Sequence, residues 1–222
     1  MKPVESQNQT VYCIPGLGAS KSIFKHLPER EGINYVLLDQ KFPKEGESFE
    51  AYIARWSDEI KVDNPILIGV SFGGIIAQEL SNLKSVKKII LISSVQTPKA
   101  FPWFMKLFKY LRIHKLLMKW VLRKLKRIED QPKTLKEEKM SYVLKSYLPH
   151  REPFYINWSA DQIINWNPKS SFDPIIHIHG TKDELFPFGN TKNAIPIKDG
   201  THAMIVTKRK WFEENLLNYL VD

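Results

Sequence analysis

One serine lies between two glycines at the point where an apolar strand pattern changes into a helical pattern. The motif Gly-x-Ser-x-Gly at residues 69–73 follows the apolar run 66–68 and precedes the apolar run 75–77. Small residues two positions before and after the serine suit a tight turn in which a Cβ at either glycine would meet backbone. Such a turn exposes the hydroxyl and aims a helix N-terminus at it, where negative charge is favourable. The pattern predicts that Ser71 is a nucleophile.

A serine hydroxyl is a weak nucleophile, so it needs a base within hydrogen-bond reach and a group that orients the base. Of the six histidines, His202 follows a glycine turn and opens the last helical segment. His177 and His179 alternate along one strand pattern, and we interpret them as buried strand histidines. The alternative interpretation of this pair is a metal site, although no third ligand is evident.

The serine motif in its strand-to-helix context resembles the nucleophile elbow of the α/β-hydrolase family. The resemblance implies a catalytic triad in the chain order serine, acid, histidine, formed by Ser71, Asp183 and His202. Asp183 follows a strand pattern in Gly-x-x-Asp-x-x-x-Pro, which is a recurrent acid site in that family. Two rivals for the acid remain open: the adjacent Glu184 and, more weakly, Asp199 in the turn before the histidine.

The resemblance also implies an oxyanion hole made of two backbone N–H groups. One belongs to the residue after the nucleophile, Phe72, and the other to Leu17 in the turn that follows the first strand pattern. The family often has His-Gly at this turn, whereas this chain has Pro15-Gly16, and an ordinary glycine-proline turn is the alternative. Chemistry on such a triad needs no metal and no organic cofactor.

Several apolar runs of strand length alternate with helical patterns. Continuous rather than alternating runs are typical of strands covered on both faces, and hence of a parallel sheet with helices on each side. Together with the resemblance, this predicts the α/β-hydrolase fold with a mostly parallel sheet of about six strands. Strand patterns begin only at Thr10, so we expect the first hairpin of the full-size fold to be absent. Residues 1–96 and 169–222 are expected to form the core, and 97–168 an inserted helical lid.

Helix ends can be predicted at several positions. Ser48 is a plausible N-cap for a helix that continues to Lys61. Thr134-x-x-Glu137 has the form of a capping box, with the helix ending before Pro149. The segment from residue 202 to residue 220 is expected to form one final helix.

The expected lid carries the basic excess of the protein. Residues 97–151 contain fifteen Lys and Arg against four Asp and Glu, which is +11, while the rest of the chain sums to −2. Aromatic and long apolar residues are interleaved with these cations, which suits a substrate with an apolar acyl part and an anionic part, or contact with an anionic membrane surface. The aromatic residues expected to meet substrate are Phe104, Phe108, Trp120 and Trp158.

Length and composition further limit the class of protein to which this chain can belong. The 222 residues fit one domain, and a single cysteine excludes an internal disulfide. The N-terminus has no signal-peptide pattern and no apolar run reaches the length of a membrane span, so we expect a cytoplasmic protein. The sequence has no compact nucleic-acid-binding motif, so we do not interpret its positive net charge as a sign of nucleic-acid binding.

The expected function is hydrolysis of a small-molecule carboxylic ester or thioester through an acyl-enzyme. Acyl transfer or carbon–carbon bond hydrolysis on the same triad remains open, because a fold does not determine its substrate. The alternative from another class is a non-catalytic protein whose basic lid binds an anionic surface or partner.

Overall fold

The computed structural model describes residues 8–111, 114–170 and 172–221, with the backbone alone for Lys106, Phe108, residues 110–111 and residues 114–117. In this part of the chain six strands form one sheet, and all five neighbouring pairs are parallel. The strands are β1 (Gln9–Ile14), β2 (Ile33–Leu37), β3 (Ile66–Val70), β4 (Lys88–Ile92), β5 (Ile175–Gly180) and β6 (Ile195–Ile197). Their order is β2-β1-β3-β4-β5-β6. The predicted parallel sheet of about six strands is confirmed.

Nine α-helices lie in the described part of the chain. They are α1 (Phe49–Ser57), α2 (Phe72–Leu80), α3 (Trp103–Leu111), α4 (His114–Asp130), α5 (Leu135–Tyr147), α6 (Pro153–Asn165), α7 (Met204–Thr207), α8 (Arg209–Asn215) and α9 (Leu217–Leu220). None of them is long and apolar enough to cross a bilayer.

Alternate residues of the strands belong to two separate apolar layers. Tyr12 and Leu67 pack in one layer with α1 and α2. Their neighbours Cys13 and Ile68 pack in the other layer with α7, α8 and α9. Because successive side chains of a strand point to opposite faces, the two layers cover the two faces of the sheet. This explains the continuous apolar runs in the sequence, and it confirms helices on both faces.

Side chains define the starts of two predicted helices. The Oγ of Ser48 accepts the Ala51 N–H at 3.2 Å, and α1 begins at the next residue. The Oγ1 of Thr134 accepts the Glu137 N–H at 3.2 Å at the start of α5. The carboxylate of Glu137 does not complete the capping box, because it accepts the Lys133 N–H at 2.7 Å instead.

The helical insertion, α3 to α6, stands between β4 and β5. Residues 97–168, as far as the structure describes them, contain helices and no strand. The last of these helices begins at Pro153, and a proline suits the first helical turn because its missing N–H would be unpaired there.

Two predicted helices differ from the structure. The helix after Ser48 ends at Ser57 rather than at Lys61. The single final helix predicted from residue 202 to residue 220 was wrong, because the segment forms three short helices separated at Lys208 and Leu216. The run Ile205-Val206-Thr207 is β-branched and a poor helix former. His202 therefore lies in the turn before α7 and not inside a helix.

Candidate active site

The strand order reverses its direction of growth between β1 and β3. From β1 the chain crosses to β2 on one side, whereas β3 leads to β4 on the other side. In open parallel sheets this switch point leaves a crevice at the carboxyl ends of the strands, where ligands bind. Ser71 follows β3 directly, and the turn at residues 15–18 follows β1. Both therefore lie at the switch point.

Ser71 occupies a strained turn that its two glycines make possible. Its φ of 53° and ψ of −117° are unusual for a residue with a side chain. A Cβ at Gly69 would overlap the carbonyl oxygen of Gly73, and a Cβ at Gly73 would overlap the carbonyl oxygen of Ile14. These obstacles are backbone atoms, which cannot rotate away. Strain of this kind persists only where the surroundings impose it.

The structure brings the three predicted triad side chains into one hydrogen-bonded line. His202 Nε2 lies 2.8 Å from Ser71 Oγ, and His202 Nδ1 lies 2.8 Å from Asp183 Oδ2. Since an ionised carboxylate only accepts, Nδ1 carries the proton and Nε2 is left to accept the serine O–H. This tautomer is the one that a general base for Ser71 requires.

The rival acids lie elsewhere. Glu184 is exposed and has no hydrogen bond to His202 in the described part of the chain. Asp199 pairs with the Lys182 ammonium at 2.7 Å on the surface. The geometry therefore favours Asp183 as the partner of His202.

Four N–H groups surround the Asp183 carboxylate, which is 4% exposed. Oδ1 accepts the backbone N–H groups of Leu185 at 3.0 Å and Phe186 at 2.9 Å. Oδ2 faces His202 Nδ1 and also His179 Nε2, which lies 3.3 Å away. Burial by itself raises the pKa of the Asp183 carboxyl, but hydrogen bonds from both histidines and from the Phe186 backbone outweigh it. The net pKa lies well below its usual range, so the carboxylate stays ionised.

A glycine contact joins the loop of the acid to the loop of the base. A Cβ at Gly180 would overlap the carbonyl oxygen of Gly200. The same carbonyl oxygen accepts the Lys182 N–H at 2.8 Å. Gly180 ends β5 just before Asp183, and Gly200 lies just before His202. This close backbone approach sets the separation of the two side chains.

The turn after β1 lies against the serine. A Cβ at Gly16 would come within 3.1 Å of the Ser71 Cβ. The Gly18 N–H donates to the Tyr155 hydroxyl at 3.3 Å. Among the residues that the structure describes, neither the Leu17 N–H nor the Phe72 N–H has a hydrogen-bond acceptor. Two free donors beside Ser71 match the requirement of an oxyanion hole.

Of the four aromatic residues predicted to meet substrate, Trp158 is the one that the structure connects to the site. Its indole N–H donates to the Glu47 carbonyl at 3.0 Å, and its ring lies 4.7 Å from that of Tyr52. Phe49 lies next to Trp158 and stacks on Phe72 at 6.2 Å. An aromatic row thus extends from α6 to the residue after the serine.

The other three lie in α3 and α4. Trp120 is 58% exposed, with the Lys124 ammonium 5.2 Å from its ring centre, so it does not line the site in this conformation. Phe104 is half-buried beside Trp103. The side chain of Phe108 lies outside the described residues.

The structure also adds residues that the sequence patterns did not identify. The Phe186 ring packs edge-on against His202 at 5.3 Å. Tyr155, in helix α6 of the helical insertion, accepts a hydrogen bond from the turn after β1. For Tyr155 the sequence carried no signal, since its partner is 137 residues away. A weak signal existed for Phe186, which immediately precedes the proline of the acid motif.

His177 and His179 are buried strand histidines, 2% and 0% exposed. Their facing nitrogens lie 3.0 Å apart. The described residues include no group of three or more His, Cys, Asp or Glu side chains arranged to hold a metal ion.

A cavity of about 820 Å³ opens between α4 and α6 in the helical insertion. Lys119, Arg123 and Lys126 line it from one face of α4. Arg151 also lines it, but its guanidinium is paired with Glu129 at 2.6 Å. The cavity therefore presents more positive than negative charge.

Solved structures share this architecture over nearly their full length. A bromoperoxidase from Bacillus anthracis superposes with a TM-score of 0.65 at 18% identity, covering 97% of this chain and 92% of that chain. This chain has the α/β-hydrolase fold. Other proteins of this fold include an esterase from Exiguobacterium antarcticum, with a TM-score of 0.59 at 18% identity over 96% of this chain and 91% of that one. An N-acyl homoserine lactone degrading enzyme superposes at 0.65 with 17% identity, over 96% and 93%.

Sequence comparison adds no family. No protein-family model matches the chain, and no curated protein matches it.

Proposed function

We propose that this α/β-hydrolase-fold protein is a serine hydrolase that cleaves a carboxylic ester or thioester through an acyl-enzyme. The observation that carries the proposal is the hydrogen-bonded line from Ser71 Oγ through His202 to Asp183, with 2.8 Å at each step. A carboxylate, an imidazole in the required tautomer and a serine in this order are the parts of a nucleophilic triad. The esterase and the lactone-degrading enzyme among the structural neighbours support the same reaction class.

The chemistry follows from the positions of these groups. Ser71 Oγ attacks the carbonyl carbon as its proton passes to His202 Nε2, and Asp183 stabilises the imidazolium that forms. The carbonyl oxygen becomes an oxyanion that accepts the Leu17 and Phe72 N–H groups. Collapse breaks the bond to the alcohol or thiol, which leaves with the proton from His202. Water then attacks the acyl-enzyme by the same route and releases the acid.

The helical insertion is proposed to act as a lid that selects substrates with an anionic part. Lys119, Arg123 and Lys126 lie on one face of α4 at the wall of the 820 Å³ cavity, and no ion pair to any of them is found within the described part of the chain. Clustered cations without partners raise the local concentration of anions. The aromatic row that ends at Trp158 would take the apolar acyl part.

A second candidate function for the same helices is contact with an anionic membrane surface. Trp103 is 75% exposed and Trp120 is 58% exposed, and the latter lies against the Lys124 ammonium. Tryptophan beside lysine is typical of helices that lie in the interface of a bilayer. Co-sedimentation with phosphatidylglycerol vesicles, with phosphatidylcholine vesicles as the control, tests this. Binding that is lost when both Trp103→Ala and Trp120→Ala are introduced supports membrane contact, and equal sedimentation of variant and parent argues against it.

The test of the proposed reaction is labelling by a fluorophosphonate, which loses fluoride when an activated serine attacks its phosphorus. Intact-mass analysis should show one adduct on the parent protein and none on Ser71→Ala. Ser81→Ala serves as the matched control, because Ser81 follows the last residue of α2 and its hydroxyl donates to the Gln78 carbonyl oxygen at 2.7 Å. An unlabelled parent with a normal thermal transition would favour the non-catalytic binding function.

A further inference from the structure

Two buried histidines continue the line of the triad on the far side of Asp183. His177 and His179 alternate on β5 and therefore point to the same face of the sheet. His177 Nε2 lies 3.0 Å from His179 Nδ1, and His179 Nε2 lies 3.3 Å from Asp183 Oδ2. The arrangement His177–His179–Asp183–His202–Ser71 is thus continuous.

The neighbouring carbonyl oxygens determine where the protons of this pair lie. His177 Nε2 is 3.1 Å from the Ser94 carbonyl oxygen, which only accepts, so this nitrogen carries a proton. His179 Nδ1, which faces the same proton, must then be an acceptor. His179 Nε2 is 2.7 Å from the Phe186 carbonyl oxygen, and it must therefore carry the other proton. Both rings are neutral Nε2–H tautomers.

The remaining nitrogen supports this assignment. His177 Nδ1 is buried and has no hydrogen-bond partner among the described residues. A proton added there would be buried without an acceptor, which is costly. Burial and the neighbouring His179 accordingly lower the pKa of His177 to about 4. The ring therefore stays neutral at physiological pH.

A buried polar atom without a hydrogen-bond partner needs an explanation. Apolar residues of similar size would fill this space without leaving a buried acceptor unpaired, so packing alone does not explain two histidines here. A metal site does not explain them either, since the two facing nitrogens share a proton. What the pair does provide is one N–H, on His179 Nε2, that donates to the Phe186 carbonyl oxygen at 2.7 Å and lies 3.3 Å from Asp183 Oδ2, the oxygen that accepts the His202 Nδ1–H hydrogen bond.

The histidine pair also closes the acid loop on itself. His179 Nε2 donates to the Phe186 carbonyl, and the Phe186 N–H donates to Asp183 Oδ1. Rotation of the carboxylate would therefore break hydrogen bonds at both of its oxygens at once. The loop and the carboxylate are held as one unit against β5.

We propose that His179 and His177 are positioning residues that orient the Asp183 carboxylate toward His202. Both imidazoles are neutral in this arrangement and carry their proton on Nε2. His179 acts directly on the carboxylate, and His177 acts by fixing the tautomer of His179. This inference rests on the proposed function, because it assigns the pair to the same triad. A directed donor outside the reacting groups acts on rate through orientation, as hydrogen-bonded supports of metal ligands do.

The first test determines the tautomers of His177 and His179 and does not depend on catalysis. In protein labelled with ¹⁵N-histidine, long-range proton–nitrogen spectra distinguish the two neutral tautomers from the charged ring. At neutral pH both His177 and His179 should be Nε2–H tautomers, with signals assigned from the single Gln variants. A charged ring or an Nδ1–H tautomer at either position would overturn the proposal, whether or not the protein hydrolyses esters.

The second test uses two amide variants, each of which replaces one of the two ring nitrogens of His179. His179→Gln keeps an N–H donor near the Nε2 position, whereas His179→Asn places its amide near Nδ1 and loses the donor at Asp183. With a p-nitrophenyl ester, kcat of the Gln variant should stay within about threefold of the parent, and kcat of the Asn variant should fall about 10- to 100-fold with KM unchanged. The low-field His202 Nδ1–H proton signal should persist in the former and broaden in the latter.

A purely structural role gives a different pattern. Equal losses in the two variants, or losses that follow the thermal transition rather than the donor position, would contradict the proposal. If the parent itself turns over no ester, the proposed reaction fails, and the His202 proton signal alone then decides whether the pair orients Asp183.

Discussion

The carboxyl edge of the sheet is tightly packed, whereas much of the helical insertion is open to solvent. At the edge, Ser71 and His202 are held by turns in which glycines touch backbone, and a buried Asp183 is held by four N–H groups. In the insertion, Trp103 and Trp120 stand largely in solvent, and the cations of α4 line an open cavity.

We expect rate and substrate affinity to depend on these two different regions of the protein. Chemistry needs groups placed within a fraction of an ångström, and only packed backbone provides that placement. Selection of a substrate needs surface area and charge, which helices can present without such precision. We therefore expect substitutions at the edge to change rate by orders of magnitude, and substitutions in the insertion to change affinity modestly.

The largest effect is expected at the acid. Asp183→Asn keeps the shape but removes the charge, and it allows the wrong tautomer at His202, so kcat should fall about 10⁴-fold. Glu184→Gln, one residue away on an exposed side chain, should leave kcat within about twofold. Steady-state kinetics on a p-nitrophenyl ester measure both. A larger loss of kcat in Glu184→Gln than in Asp183→Asn would mean that Glu184, and not Asp183, is the acid.

The tight glycine packing predicts a large loss of stability on adding one methyl group. Gly73→Ala should lower the free energy of unfolding by about 3 kcal/mol or more, because its Cβ would strike the carbonyl oxygens of Ile14 and Pro15. Gly189→Ala is the matched control, since a Cβ there meets nothing within 4 Å, and it should change stability by less than about 0.5 kcal/mol. Urea unfolding compares them. Similar free energies of unfolding for the two variants would mean that the turn at Ser71 accommodates an added Cβ.

The neutral His177 predicts a pH dependence of stability. Its pKa falls from an ordinary 6.5 to about 4 in the fold, so between these values the unfolded chain binds a proton that the folded chain does not. Stability should therefore be full above pH 6.5 and decline as pH falls toward 4, by up to about 3 kcal/mol from this group. His177→Gln should show a shallower decline in urea unfolding over that range. Parallel curves for the two proteins would refute the assignment.

The smallest effect is expected in the helical insertion. Reversing two charges with Lys119→Glu and Arg123→Glu should raise KM about five- to tenfold for an ester that carries an anionic group, and leave KM for a neutral ester unchanged. Lys139→Glu on α5, an exposed residue outside the cavity, is the matched control. Equal effects on neutral and anionic esters would remove the case for anion selection.

Much of the fold could be predicted because its signals are local. Continuous apolar runs indicated buried parallel strands, and Ser48 and Thr134 marked helix starts that the structure confirms. The final segment was predicted wrongly as one helix, since its apolar spacing was helical while its β-branched run favoured a break at Lys208. Tertiary contacts with the sheet decided between these two tendencies.

The serine turn could be predicted from local sequence, since a Cβ at Gly69 or at Gly73 would meet backbone atoms around Ser71. The sequence also placed His202 and a set of three carboxylates near the ends of later strands. The folded chain brings one of them, Asp183, within hydrogen-bond distance of His202, because the distances from these carboxylates to an imidazole depend on the Gly180–Gly200 contact and not on sequence spacing. The same holds for the histidine pair: alternation on a strand puts two rings on one face, but the carbonyl oxygens that order their protons come from distant segments.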